Sequence, residues 1–152
     1  MKKSLIFILL LMLVSCKQAE QQSKSEIEKG LEEIGLQNVA EEIPGIEVYM
    51  VYATPYNFMG RVLYTGLDEA YLVPEAIEKL RKANELLRKK RLDLHLVVYD
   101  AARPRSIQQQ MWEVVENTDL QDYVANPNKS GGGPHNYGVA VDVTLVDCTG
   151  HP

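Results

Sequence analysis

Two residues in the stretch "GGGPHNYGVAVDVTL" (Gly131 to Leu145) have side chains that can hold a cation: His135 and, six residues of spacer later, Asp142. The histidine stands at a glycine-rich turn. The aspartate interrupts an apolar run that otherwise reads as a strand. In an extended chain successive side chains alternate, so Val139, Val141, Val143 and Leu145 share one face, and Ala140, Asp142 and Thr144 share the other. If that second face is solvated, Asp142 is an ordinary surface acid. If it is covered, the carboxylate needs a partner or a metal, because an unpaired buried charge is costly. Zinc accepts both imidazole nitrogen and carboxylate oxygen, and catalytic zinc sites use three protein ligands and a water. A histidine on a turn and an aspartate in the following strand can converge on one ion. Gly131, Gly132, Gly133 and Gly138 permit the tight backbone path this needs.

The elements that must position the pair can be read from periodicity. "EKGLEEIGLQNVAEEI" (Glu28 to Ile43) predicts one or two short helical turns, broken by Pro44-Gly45. "IEVYMVYA" (Ile46 to Ala53) is β-branched and aromatic and predicts a strand. Pro74 suits the first turn of a helix over "PEAIEKLRKANELLRKK", with Ile77, Leu80, Ala83 and Leu87 as its apolar stripe and a basic C-terminal end. "LDLHLVVYD" (Leu92 to Asp100) alternates as a half-buried strand. Ser106 is the expected N-cap of a helix "IQQQMWEVVEN" that turns Ile107, Met111, Val114 and Val115 inward. "VAVDVTLVD" is the last strand. The order predicts an α+β fold, a small mixed sheet flanked by helices in a single domain.

The chain has 152 residues and a net charge of -5, which gives a nucleic-acid role no electrostatic support. With 45% hydrophobic and 24% charged residues it has the composition of a globular protein. "MKKSLIFILLLMLVSC" differs: two lysines, an apolar run too short to span a bilayer, then Ser15 and Cys16. Leu13-Val14-Ser15-Cys16 resembles the lipobox of bacterial lipoproteins. That resemblance implies a signal peptide over residues 1-15, a lipidated Cys16, and a cell-envelope location anchored to the membrane. Residues 16-27 then read as a polar tether, and residues 28-152 as the domain. With Cys16 acylated, Cys148 has no intramolecular partner, so the fold relies on packing or a metal rather than a disulfide.

"HNYGVAVDVTL" resembles the H-x-x-G-x-A-x-D-[LV]-T signature of the VanX-type D-alanyl-D-alanine dipeptidases, a zinc peptidase family. "VVYDAARP" (Val97 to Pro104) is similar to the family's Y-D-x-x-R-P segment, and "VYATPYNFMG" (Val51 to Gly60) to its Y-A-T-x-x-N-F-x-G segment. The three occur in the family's order. The resemblance implies that His135 and Asp142 are zinc ligands, with a second histidine completing the set. It implies that Arg103 steadies the tetrahedral oxyanion, a role suited to a permanently charged donor fork. The implied reaction is hydrolysis of D-Ala-D-Ala and related small dipeptides from cell-wall metabolism, with a glutamate as general base. Asp100 reads as a structural carboxylate orienting its loop or Arg103, and Arg105 as a surface residue.

Two departures from the pattern stand out. Family members often carry serine two residues before the histidine, where this chain has Gly133. The family's E-x-x-H type motif lies well downstream, whereas here no glutamate follows Glu116 and the sequence runs to "VDCTGHP". The expectation is therefore a domain continuing past Pro152, with the 152 residues alone inactive and weak in zinc binding. His95 reads as a solvated strand histidine and His151 as part of a turn, so neither is the expected third ligand. A non-catalytic envelope lipoprotein that binds wall-derived peptides is the alternative, and a structural module with a solvated His135 and Asp142 is another.

The lipobox reading has a direct test. Cells fed a clickable fatty acid are expected to label the protein, and Cys16→Ser is expected to abolish the label; a labelled serine variant would refute it.

Overall fold

The structure is a computed structural model, and it describes residues 23-129, 131-147 and 149-150. The signal peptide, Cys16, most of the tether, Cys148 and His151 lie outside the described residues. Among those described, no helix is long and apolar enough to cross a membrane.

The first ordered element is α1 (Glu26–Glu33). Ser25 caps it: the Glu28 amide donates to Ser25 Oγ and the Ser25 amide donates to the Glu28 carboxylate. Ser25 Oγ also donates to the Gly66 carbonyl, and Lys24 bridges Glu32 and Glu41. Lys24 and Ser25 are thus tied to the rest of the fold. Next come β1 (Gln37–Asn38) and the single turn α2 (Val39–Glu42), which Asn38 caps through its side-chain oxygen.

The second strand, β2 (Glu47–Val48), is far shorter than the expected Ile46 to Ala53. The chain leaves the sheet after Tyr49 and winds a 3₁₀ turn over Val51–Ala53. The reason is visible in the hydrogen bonds. The Tyr52 carbonyl is taken by the amides of Leu63 and Tyr64, across a loop instead of along a ladder. Asn57 ties that loop together by donating to the carbonyls of Thr54 and Arg61.

A short β3 (Tyr71–Leu72) pairs antiparallel with β1. Helix α3 (Pro74–Lys90) has the expected bounds, with Pro74 in its first turn and Arg88, Lys89 and Lys90 in its last. Its buried residues are Ile77, Leu80 and Asn84, with Leu87 partly covered; Ala83, expected on the stripe, is exposed. The packed stripe thus follows a seven-residue rhythm through an asparagine.

The main sheet has three strands in the order β2-β4-β5. β4 (Leu94–Asp100) is central, parallel to β2 and antiparallel to β5 (Asp142–Asp147), so the sheet is mixed as expected. Leu92 stays outside the strand and exposed. Helix α4 (Arg105–Val115) follows β4. Pro104, not Ser106, holds its cap position, because a fixed φ lets the helix start at once. Its buried face is Ile107, Gln108, Met111, Trp112 and Val115, and Val114 faces out.

In β5 and the residues before it, exposure follows the alternation only in part. Val139, Val143 and Leu145 are the exposed set, at 53%, 44% and 42%, whereas Val146, two steps from Thr144, is 5% exposed. Val141 is partly buried against the core and the Asp142 side chain is 53% exposed, so neither face of this segment is wholly inward. Between Val98 and Asp100 the β4-β5 register slips by one residue, which sets Asp100 opposite Asp142. A bulge of this kind re-aims side chains at a sheet end.

A 3₁₀ turn over Pro134–Tyr137 leads into β5 and ends at Gly138, whose φ is 64°. An L side chain there costs roughly 1–2 kcal/mol, and a Cβ would stand 2.8 Å from Leu36 Cδ2. The Gly138 carbonyl accepts from the Val73 amide, so the turn is also fastened to the start of α3. Gly138→Ala is expected to lower stability by about 1–2 kcal/mol in urea unfolding, from the left-handed conformation alone; an unchanged midpoint would show that the turn relaxes freely.

Candidate metal centre

The site forms where the loop after β4 meets the turn before β5. Three hydrogen bonds lace them. The Arg103 amide donates to the His135 carbonyl at 2.9 Å, the Asn136 side-chain amide donates to the Arg103 carbonyl at 2.9 Å, and His135 Nδ1 lies 2.7 Å from the Ala101 carbonyl. Asn136 also closes its own turn by accepting from the Gly133 amide at 2.8 Å.

The last of the three bonds decides the histidine's chemistry. A carbonyl only accepts, so Nδ1 carries the proton and Nε2 presents its lone pair in the neutral ring. Nε2 lies 3.4 Å from Asp142 Oδ1. Two ligands at ~2.0–2.1 Å from a tetrahedral zinc stand roughly 3.3–3.4 Å apart. The pair is thus already at ligand spacing, and His135 Nε2 with Asp142 fits the metal that the sequence implied.

Asp100 is the third group within 4.8 Å in this cluster. Its oxygens are already engaged. Tyr64 Oη donates to Oδ1 at 2.7 Å, while Arg103 Nε and Nη2 donate to Oδ2 at 2.9 and 2.5 Å. It is fully buried. Asp100 is therefore the anchor of Arg103 and a neighbour of the His135 ring, at 3.8 Å from Nδ1, as its reading as a structural carboxylate anticipated. Burial pushes its carboxyl up, and Arg103, Tyr64 and His135 oppose that push. Burial also works against the Arg103 charge, but Asp100, Tyr64 and Tyr52 together outweigh it and hold the guanidinium above its usual range.

Arg103 is 8% exposed. Its Nη1 donates to Gln108 Oε1 at 2.8 Å, its plane lies over the Tyr52 ring at 5.2 Å, and Nη2 stands 3.6 Å from Asp142 Oδ2. Of five N–H groups, the bonds to Asp100 and Gln108 use three. Nη2 also faces Asp142, and Arg103, His135, Asp142 and Tyr52 together line a cavity of about 480 Å³. Arg105 is exposed and donates to the Pro127 carbonyl at 2.8 Å. His95 is not part of the site: its Nε2 pairs with Glu47 Oε1 at 3.0 Å, and it lies five residues before Asp100, ~16 Å along β4. No glutamate lines the cavity among the described residues.

Gln108 is the residue that the sequence did not announce. It is 1% exposed, accepts from Arg103 and donates to the Ala125 carbonyl at 2.7 Å. Its signal was its place, one turn after the arginine's loop on the inner face of α4. The Gly133 departure also has a cause here: a Cβ at Gly133 would lie 2.8 Å from Ala125 Cβ.

The titrations of the pair set the pH behaviour of metal uptake. Burial lowers the His135 imidazole, but Asp142, the Ala101 carbonyl and Asp100 pull harder, and its net direction is up from the ordinary 6.5. Asp142 is held below its ordinary 3.8, mainly by His135, with burial opposing. The raised histidine stabilises the metal-free fold below 6.5, and this is lost as pH rises through its folded value. The lowered aspartate stabilises it above 3.8, and this is lost as pH falls through its folded value. The ion pair therefore helps the metal-free protein most in mild acid, where a metal ion would have to displace the His135 proton. Zinc affinity is expected to climb about tenfold per pH unit through mild acid and level off once His135 is neutral. Calorimetric titration in two buffers of different ionisation heat should show about one proton released per ion in that range; a flat pH profile would exclude His135 as a ligand.

Comparison with known proteins agrees with this geometry. The sequence pattern of the D-ala-D-ala dipeptidase family matches residues 32–152. The D-alanyl-D-alanine dipeptidase of Escherichia coli (strain K12) is 30% identical over 112 residues, which cover 74% of this chain and 54% of that protein. The chain thus spans about half the length of this curated relative. The matched span contains Arg103, His135 and Asp142 and the strands and loops that bring them to one cavity, and the chain belongs to the D-ala-D-ala dipeptidase family.

Proposed function

We propose that the protein is a zinc-dependent dipeptidase that hydrolyses D-Ala-D-Ala-type dipeptides in bacterial cell-wall metabolism. The observation that carries this reading is the convergence of His135 Nε2, Asp142 and the Arg103 guanidinium on one cavity. His135 and Asp142 would hold the ion, and the resemblance supplies a further histidine and a glutamate base for the complete set. A bound zinc would supply Lewis acidity and an activated water near neutral pH.

The chain's own residues do the rest. The Ala101 carbonyl keeps His135 in the tautomer that leaves Nε2 free. Asp100 and Gln108 hold the Arg103 fork still, so its remaining N–H groups are positioned before charge develops on the scissile oxygen. The Tyr52 ring under the guanidinium removes one side of it from water.

A lipid anchor at Cys16 would place this activity at the envelope, where wall-derived peptides are released. The support for that placement is the Leu13-Val14-Ser15-Cys16 sequence itself.

The complete, zinc-loaded protein is expected to cleave D-Ala-D-Ala and to leave L-Ala-L-Ala nearly untouched, measured by amine release. Equal cleavage of both, or of neither, would sink the stereospecific reading. Arg103→Ala is a poor probe, since stripping one partner from a buried pair costs roughly 3–5 kcal/mol and would leave Asp100 uncompensated. Arg103→Lys keeps the charge but loses the fork. It is expected to lower kcat by a factor of roughly 10² to 10³ with zinc content unchanged; a change confined to KM would instead assign Arg103 to the substrate carboxylate.

A further inference from the structure

Helix α3 carries a surface that the metal site does not use. At 3.6 residues per turn Lys79, Lys82, Leu86, Lys89 and Lys90 fall within ~100° of one another, on the side opposite the buried Ile77, Leu80 and Asn84. All five are exposed. One acid, Glu75, shares that side in the first turn, and Glu78 on the flank is taken by Arg81. Among the described residues none of the four lysines has an ion-pair partner. Residues 79–91 hold seven of the chain's 16 lysines and arginines and one of its 21 acids, a local +6 in a chain of net charge -5.

The helix macrodipole accounts for Arg88, Lys89 and Lys90 in the last turn, and its influence ends there. It does not account for Lys79 and Lys82, further back along the helix. Nor does it account for the leucines set among them. Leu86 is 56% exposed, and Leu92, just past the helix, is 94% exposed. A leucine in a field of lysines gains nothing from a soluble polyanion. At a lipid boundary it enters between the headgroups while the ammonium groups reach the phosphates.

The placement of this face agrees. The Val73 amide at the start of α3 is bonded to the Gly138 carbonyl, three residues after His135. Leu92 lies past the other end of a 17-residue helix, ~25 Å away. Contact at that end keeps a bilayer clear of the metal pair. The chain also enters beside this helix: Lys24 binds Glu41, and the adjacent Glu42 binds Arg81 of α3. Cys16 precedes Lys24 by eight residues, a reach of at most ~29 Å.

We propose that the outward face of α3, from Lys79 to Leu92, docks on an anionic phospholipid surface. The inference stands apart from the dipeptidase reading, since no residue of the metal site takes part.

The full chain is reconstituted on vesicles of phosphatidylcholine alone and of phosphatidylcholine with phosphatidylglycerol. Its lysines are then acetylated with a water-soluble ester and located by mass spectrometry. Lys79, Lys82, Lys89 and Lys90 are expected to react at least about fivefold more slowly on the anionic vesicles, the factor that contact of one lysine with such a surface supplies. Lys29 and Lys129, exposed elsewhere, are expected to react at unchanged rates. The protection should vanish in 1 M salt, where the Debye length is ~3 Å. Leu92→Ser, and Lys89→Ala together with Lys90→Ala, are each expected to restore the reactivity of Lys79 and Lys82 several-fold. All three positions are exposed, so the core is untouched. Equal rates on the two kinds of vesicle, protection that extends to Lys29 and Lys129, or protection that persists in 1 M salt would overturn the docking face. Protection by dissolved dextran sulfate that Leu92→Ser leaves intact would assign the face to a soluble polyanion and overturn membrane docking as well.

Discussion

The site depends on one carboxylate, Asp100, kept out of water. A buried charge of this kind is tolerated only when its oxygens are saturated with donors. Tyr64 and the Arg103 fork supply them, and in doing so they lose their own freedom to move. Everything else in the site follows from where this ion pair puts the guanidinium. Tyr52 packs on it, Gln108 grips its far nitrogen, and Asp142 stands just beyond hydrogen-bond distance of it. Replacing such a pair with hydrocarbon can stabilise a fold. Here its contribution is orientation: a long, flexible side chain is reduced to one pose beside the cation ligands.

The sheet delivers that carboxylate by an irregularity. A perfectly regular β4-β5 ladder would carry the alternation of Leu96 and Val98 straight through the site. The one-residue slip before Asp100 breaks the ladder and brings two acids opposite each other, one buried and one half-exposed. Two carboxylates at this distance repel unless cations stand between and around them. Arg103 lies near both, and His135 completes the screen.

Much of this was legible in the residues. The bounds of α3 follow from Pro74 and a long 3.6-residue period, which no strand can imitate. Arg103, His135 and Asp142 were found because motif residues bring their chemistry with them. What failed has a common physical cause. Alternation divides a strand into two faces but does not say which is inward, and Val139, Val143 and Leu145 went to the outside. Apolar residues remain abundant on protein surfaces, so an aliphatic row is a weak guide to direction. The strand expected over residues 46-53 needed partners that a loop claimed instead. Gln108 was hidden because a glutamine on a helix face is ordinary until its two ends are seen to be occupied.

Loops of surface type usually tolerate insertion and deletion. The segment from residue 117 to residue 133 is an exception by construction. Its Ala125 carbonyl holds Gln108, whose other end holds Arg103. Its Ala125 methyl crowds Gly133, two residues before the histidine. A change in its length would therefore be felt at both sides of the cavity at once, as a rotated arginine and a displaced imidazole. The spacing between helix and turn is thus as much a property of the site as the residues that line the cavity.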